Sequence, residues 1–271
     1  MKTISFLFIS FFFIFLMSCE EPNNSTNDGL NGIMLGPPPY LSLDDVLSSY
    51  DTSGVIGIIY LDDVYSSILS NSSVLTDHYC DGKAYFYDSL NNSVPCDSLV
   101  FNNYNFVKPI SNQNFYAGEG NHISQSGMLI NFGQLNHLKL VGAQYLTNAD
   151  TNFYLNNSIA FSSISPGDTI DNDNDLTLQW NSTSNTYVQI EFKQIDSVLA
   201  GGQINNLTLS TIILANTGSY VIQDEYLSQM NPGEYIMEIK RFEPIFINQG
   251  QNKKILALCT SKHKINVFIK D

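Results

Sequence analysis

The chain has 271 residues, with 26 acidic against 12 basic side chains and a formal net charge of −14. A single arginine, Arg241, and the lack of any Lys/Arg cluster exclude nucleic acid as a partner, because phosphate binding rests on clustered cations. They also exclude electrostatic docking on anionic lipid.

Lys2 opens the chain and the apolar run Ile4 to Met17 follows. A bilayer span needs about 20 apolar residues, so this run fits the apolar region of an export signal. Leu16-Met17-Ser18-Cys19 then resembles the lipobox of bacterial lipoproteins: an aliphatic residue, a tolerant position, a small residue and a cysteine. A small residue suits the peptidase pocket, and the thiol is the nucleophile that takes the diacylglycerol. The resemblance implies a signal peptide over residues 1–18, cleavage before Cys19 and lipid on Cys19. Loss of Lys2 would leave the mature chain one charge more negative. Mature lipoproteins of this type carry two or three acyl chains, which anchor stably where one chain binds only marginally. Glu20 and Glu21 resemble the surface-export signal of Bacteroidota-type lipoproteins, and read equally as the start of a polar tether. The expected location is the outer membrane, lipid-anchored, at the cell surface or on the periplasmic face.

Residues 19–39 are rich in Asn, Gly and Pro and poor in large apolar side chains, which predicts a flexible tether stiffened at Pro37-Pro38-Pro39. From residue 40 to 158, short apolar or alternating runs are separated by turn chemistry such as Asn-Ser-Ser, Asp-Gly and Asn-Asn-Ser. Val55–Tyr60, Ala84–Tyr87, Leu99–Phe101, Met128–Phe132 and Leu138–Val141 read as strands, with Asp97–Asn103 as one strand and its turn. Leu43–Ser49 and Asp62–Leu69 read as short helices. This segment is expected to be a β-rich, sandwich-like domain.

Residues 159–271 alternate more clearly. Leu176, Leu178 and Trp180 interleave with Thr177 and Gln179, and Val188, Ile190 and Phe192 with Gln189, Glu191 and Lys193. Tyr235, Met237 and Ile239 follow the same rule, as do Ile265, Val267 and Ile269. A period of two buries one face and wets the other, the pattern of antiparallel sandwich sheets. Asp175-Leu-Thr-Leu-Gln-Trp180 resembles the second strand of a fibronectin type III or immunoglobulin-like sandwich, with its core tryptophan. Gly218–Ile222, Leu227 and Pro232-Gly233-Glu234-Tyr235 are similar to the strand, leucine, Pro-Gly turn and tyrosine before the sixth strand of those modules. The resemblance implies a corner tyrosine whose hydroxyl bonds back to the chain, although the Pro-Gly to Tyr spacing is one residue shorter here. The expected fold is all-β: two tandem antiparallel β-sandwich domains, 40–158 and 159–271, after the signal and tether.

Candidate chemistry is sparse. Export would place Cys80 and Cys96 in an oxidising compartment, where a bridge closing that loop would add about 3 kcal/mol. Cys259 is an alternative partner or a buried free thiol. Asp168, Asp171, Asp173 and Asp175 put oxygen ligands at alternate positions, as Ca²⁺ prefers. Leu176 stands where an EF-hand needs glycine and Ser182 where it needs glutamate, so the choice lies between a looser Ca²⁺ site and a solvated turn. His78, His122, His137 and His263 lack metal-ligand spacing. His263, between Lys262 and Lys264, reads as protection of a late strand against edge pairing. Asp88-Ser-Leu, Asp97-Ser-Leu, Asp168-Thr-Ile and Asp196-Ser-Val resemble the O-glycosylation sequence of Bacteroidota-type bacteria, which would place sugar on Ser89, Ser98, Thr169 and Ser197. Tyr79, Tyr85, Tyr87, Tyr104 and Tyr116 could stack on glycans or simply fill strands.

No motif calls for a cofactor. The leading expectation is a membrane-anchored envelope lipoprotein, a non-catalytic binding or scaffolding module for a protein or glycan partner. Its rivals are a fimbrial or adhesin subunit joined by strand donation and a secreted hydrolase using dispersed carboxylates.

Overall fold

The computed structural model describes residues 53–88, 92–108, 116–142, 145–181, 186–195 and 206–271. Cys19, Ser89, Ser197, the segment 19–39 and the expected helix Leu43–Ser49 lie outside these residues.

The chain is an all-β sandwich. Among the described residues, fifteen strands form one nine-stranded sheet and two smaller sheets of two and four strands. The large sheet runs β12 (Asn206–Ala215), β11 (Tyr187–Ile195), β14 (Gly233–Gly250), β15 (Lys253–Lys270), β1 (Val55–Ser70), β2 (Ser73–Phe86), β5 (Tyr116–Asn121) and β6 (Ser126–Gly127). β9 (Thr169–Asp171) joins it beside the end of β15. Two pairings in this sheet are parallel, β1 and β9 on β15. The four-stranded sheet is β4 (Tyr104–Asn105), β3 (Ser98–Phe101), β7 (Leu135–Val141) and β8 (Ala149–Tyr154), and the pair is β10 (Leu176–Gln179) with β13 (Ser219–Ile222). A four-residue helix, α1 (Asp224–Leu227), follows β13 and buries Leu227.

Three two-residue hairpins join β1 to β2, β3 to β4 and β14 to β15. Asn71-Ser72, Asn102-Asn103 and Gln251-Asn252 all have positive φ at both residues. That is the turn whose twist matches the twist of its flanking strands. Asn tolerates this conformation because its short polar side chain bonds locally. The expected turn at Asn102-Asn103 is therefore present and closes β3 onto β4.

Asp62–Leu69 is not a helix. It lies within β1, where residues 57, 59, 61 and 63 are buried on one face. The β-branched Val55, Ile56, Ile58, Ile59 and Val64 favour the pleated surface, and a pairing partner on each side decides the matter. Met128–Phe132 is a correction in the other direction. It carries no ladder, although Met128 and Ile130 are buried in the core.

The inward face of the large sheet covers two hydrophobic cores. The first contains Ile59, Leu61, Phe86, Leu99, Phe101, Leu138 and Leu155 beneath the four-stranded sheet. The second contains Leu178, Trp180, Val188, Ile190, Phe192, Tyr235 and Val267 beneath the β10–β13 pair. The hairpin β14–β15 serves both. Ile247, Ile255, Ala257 and Cys259 belong to the first core, while Met237, Ile239, Ile265 and Ile269 belong to the second. Trp180 is buried as its resemblance to a core tryptophan implies, and its Nε1 donates to Asn216 Oδ1 at 2.7 Å. The corner hydrogen bond is made despite the short spacing: the Tyr235 hydroxyl donates to the Asn231 carbonyl at 2.8 Å.

Candidate functional site

Between the two cores, the inward face of the sheet carries a row of polar side chains. Register dictates it. Asp63 on β1 stands opposite Cys80 on β2 and Ser261 on β15, and Tyr65 opposite His78 and His263. Arg241 on β14 stands opposite Ser261, and Glu243 opposite Cys259. Directly paired residues, and residues two apart, share a face, so these groups form a belt across the sheet.

One half of the belt fixes the passage from the first core to the second. Residues 155–160 carry no ladder, so their buried backbone groups need other partners. Glu243 Oε1 accepts from the Asn156 amide, and Arg241 donates to the Asn156 carbonyl. Ser261 Oγ accepts from the Ile159 amide and His263 Nδ1 from the Phe161 amide. Arg241 is 0% exposed, pairs with Glu243 Oε2 at 3.3 Å, and lies over the Phe132 ring. His263 is thus not guarding an edge. β15 is a central strand, and burial of this imidazole between the Tyr65 and Phe161 rings pushes its pKa down to about 4. Sequence reasoning missed this because flanking lysines looked like an edge signal, whereas they point to the opposite face of the sheet.

The other half brings together residues far apart in sequence. The Asp63 side chain is 3% exposed, and its Oδ1 lies 2.9 Å from His78 Nε2 and 3.1 Å from His122 Nε2. The first contact is a hydrogen bond. The second is misaligned, leaving His122 Nε2 buried without a hydrogen-bond partner. The two imidazoles stack with centroids 4.0 Å apart and planes 12° apart, held by a hydrogen bond from the His122 amide to the His78 carbonyl. Cys80 Sγ donates to the same Asp63 oxygen at 3.4 Å. Burial opposes ionisation of Asp63, yet the two imidazoles hold its carboxyl below the usual value. The signal available beforehand was Asp62-Asp63 inside an apolar strand. Reading that stretch as a helix hid which acid points inward.

The remaining candidates stand apart from the belt. Cys80, Cys96 and Cys259 are buried free thiols, and the Cys80–Cys96 bridge is not made. Burial raises the pKa of all three, which makes them poor nucleophiles. Three of the loop acids accept separate backbone hydrogen bonds. Asp168 accepts from the Ser165 amide, Asp171 from that of Asp173, and Asp175 from that of Asp224. Among the described residues, the group whose ligand atoms all lie within 4.8 Å of one another is Asp63, His78 and His122. Ser98 is half-buried in β3, and Thr169 is exposed in β9. Tyr116 is buried, its hydroxyl bonded to the Cys96 amide and carbonyl, while Tyr79 lies on the outer face of β2. Each buried carboxylate among the described residues meets a cation or imidazole: Asp63 as above, Glu191 with Lys193, Glu238 with Lys264, and Glu243 with Arg241.

No family model and no curated protein matches the chain. Solved structures do. A yeast delta-COP-I mu-homology domain is 10% identical over 79% of this chain and 98% of its own, with a TM-score of 0.25. The native E. coli alpha-2-macroglobulin is 9% identical over 84% of this chain and 15% of its own, with a TM-score of 0.21. The two immunoglobulin domains of DIP-gamma are 6% identical over 78% of this chain and 95% of their own, with a TM-score of 0.19.

Proposed function

We propose that this chain is a lipid-anchored protein of the bacterial outer membrane, whose β-sandwich body is a non-catalytic binding or scaffolding module. The observation that carries the proposal is Leu16-Met17-Ser18-Cys19 at the end of an apolar run, followed by an Asn/Gly/Pro-rich stretch and then a folded body from Val55. A cysteine placed so takes lipid, and the stretch behind it holds the body off the membrane. The body suits contact better than turnover. Its buried carboxylates each sit beside a cation or an imidazole, its thiols are buried, and Tyr60, Tyr79 and Phe246 are exposed aromatic side chains. Rings of this kind serve as anchors for protein and sugar partners.

The test is fractionation of cells carrying the native chain or Cys19→Ala, with protease added to intact cells. The native protein is expected in the membrane fraction and Cys19→Ala in the soluble one. Membrane association that survives Cys19→Ala would overturn the anchor. Shaving of the native protein on intact cells would mark the outer surface, and protection until the outer membrane is breached would mark the periplasmic face.

A further inference from the structure

Asp63, His78 and His122 form a cluster that neither the anchor nor the binding reading requires. We propose that these three side chains bind a divalent transition-metal ion of the zinc type. The set is one carboxylate and two imidazoles, with a ligand atom of each within 4.8 Å of the others. Imidazole nitrogen joined to carboxylate oxygen suits zinc, copper, nickel or cobalt, whereas Ca²⁺ and Mg²⁺ take oxygen sets.

Distance, charge and hydrogen bonding converge. Ligand atoms about 2.0–2.1 Å from a tetrahedral zinc stand about 3.3–3.4 Å from one another. The two nitrogens lie 2.9 and 3.1 Å from Asp63 Oδ1, slightly closer than the ligands of one zinc ion stand to each other. The Asp63 carboxylate is buried, and among the described residues the two imidazoles are its ion-pair partners, with no lysine or arginine beside it. A buried charge needs a counter-charge close by, and a divalent cation held among the three groups would supply one. His122 Nε2 is buried, aimed at the carboxylate and without a hydrogen-bond partner. A metal ion answers both needs at once. Cys80 Sγ, bonded to Asp63 Oδ1, would orient the carboxylate as outer partners of metal ligands do.

The His78 and His122 side chains are 28% and 20% exposed, so the cluster opens to solvent on its histidine side. Three protein ligands leave the fourth position to water, as in open zinc sites. A further consequence concerns the stack. Rings 4.0 Å apart and 12° from parallel cannot both contain one ion in their planes. Binding must therefore turn at least one ring and break the stack, and His78 is the more exposed of the two.

The test uses the full chain, purified in detergent, stripped with chelator, and titrated with Co²⁺ and then Zn²⁺. One equivalent of Co²⁺ is expected, with the visible spectrum of a low-coordinate ion and displacement by Zn²⁺. The ring resonances of His78 and His122 should shift on Zn²⁺ addition. His78→Gln and His122→Gln are each expected to weaken binding at least ~100-fold, beyond what loss of an outer partner costs. His137→Gln, in a surface pair with Asp150, should leave binding unchanged. Because Asp63→Asn alters a buried group and could fail to fold, the two histidine variants decide the matter. Absence of stoichiometric binding by the native chain, or undiminished binding in both histidine variants, would overturn the site.

Discussion

Replacing Arg241 by Met would test whether the polar belt holds the two cores together. The stem keeps most of its packing, but Glu243 is left buried beside the Asn156 carbonyl without its cation. Breaking a buried pair by removing one partner costs about 3–5 kcal/mol, a large share of the roughly 5–15 kcal/mol that holds a protein folded. For a body of this size each kcal/mol moves Tm by about 2–4 °C, so the fall should be about 6–20 °C. The pair itself is not a strong net stabiliser. Burial lowers the pKa of Arg241 more than Glu243 restores it. Arg241→Met with Glu243→Leu should therefore recover most of the loss, since an apolar replacement of a whole buried pair is often neutral. Urea unfolding is the assay. Trp180, the one tryptophan, is buried in the second core and reports on it directly. A loss below about 1 kcal/mol in Arg241→Met, or no recovery in the double variant, would refute the reasoning.

Alkaline pH should weaken the fold through two buried phenols. Burial raises the pKa of Tyr116 and Tyr235 to about 12 each, so the unfolded chain releases these protons first and stability falls as pH rises from about 10 to about 12. Tyr235→Phe should remove part of that slope and cost about 1 kcal/mol at neutral pH; an unchanged alkaline slope would contradict it. On the acid side, His263 stays neutral in the fold to about 4, so its contribution is lost as pH falls below about 6.5. His263→Asn should flatten the acid limb of a stability–pH curve, and an unaltered limb would show that other groups govern it. Without reductant, thiol labelling should find Cys80, Cys96 and Cys259 protected in the native chain and all three reactive in denaturant. Only one reactive thiol in denaturant would reveal a bridge.

Much of the architecture could be read from residues that alternate. Val188–Phe192, Tyr235–Ile239 and Ile265–Ile269 each announce a strand with one buried face, because side chains in a strand change face at every step. Trp180 and the tyrosine of Pro232-Gly233-Glu234-Tyr235 likewise occupy the buried positions their surroundings suggest. Asp62–Leu69 misleads because its apolar spacing also fits a helical turn, and only the flanking strands β2 and β15 resolve the ambiguity. The metal-ligand cluster escapes for another reason. His78 and His122 meet through pairing at the β2–β5 border, and long-range register leaves no fixed spacing in the sequence.

The shared hairpin also imposes an order on how the chain can be made. β1 pairs in parallel with β15, which follows every other described strand in the sequence. Neither core is complete until that final hairpin arrives, since it supplies a wall to both. Contacts of such long range close slowly, because the intervening chain must be ordered first. A polypeptide built this way keeps both cores open until β15 has been made, and closes them only when that strand pairs with β1 and β14.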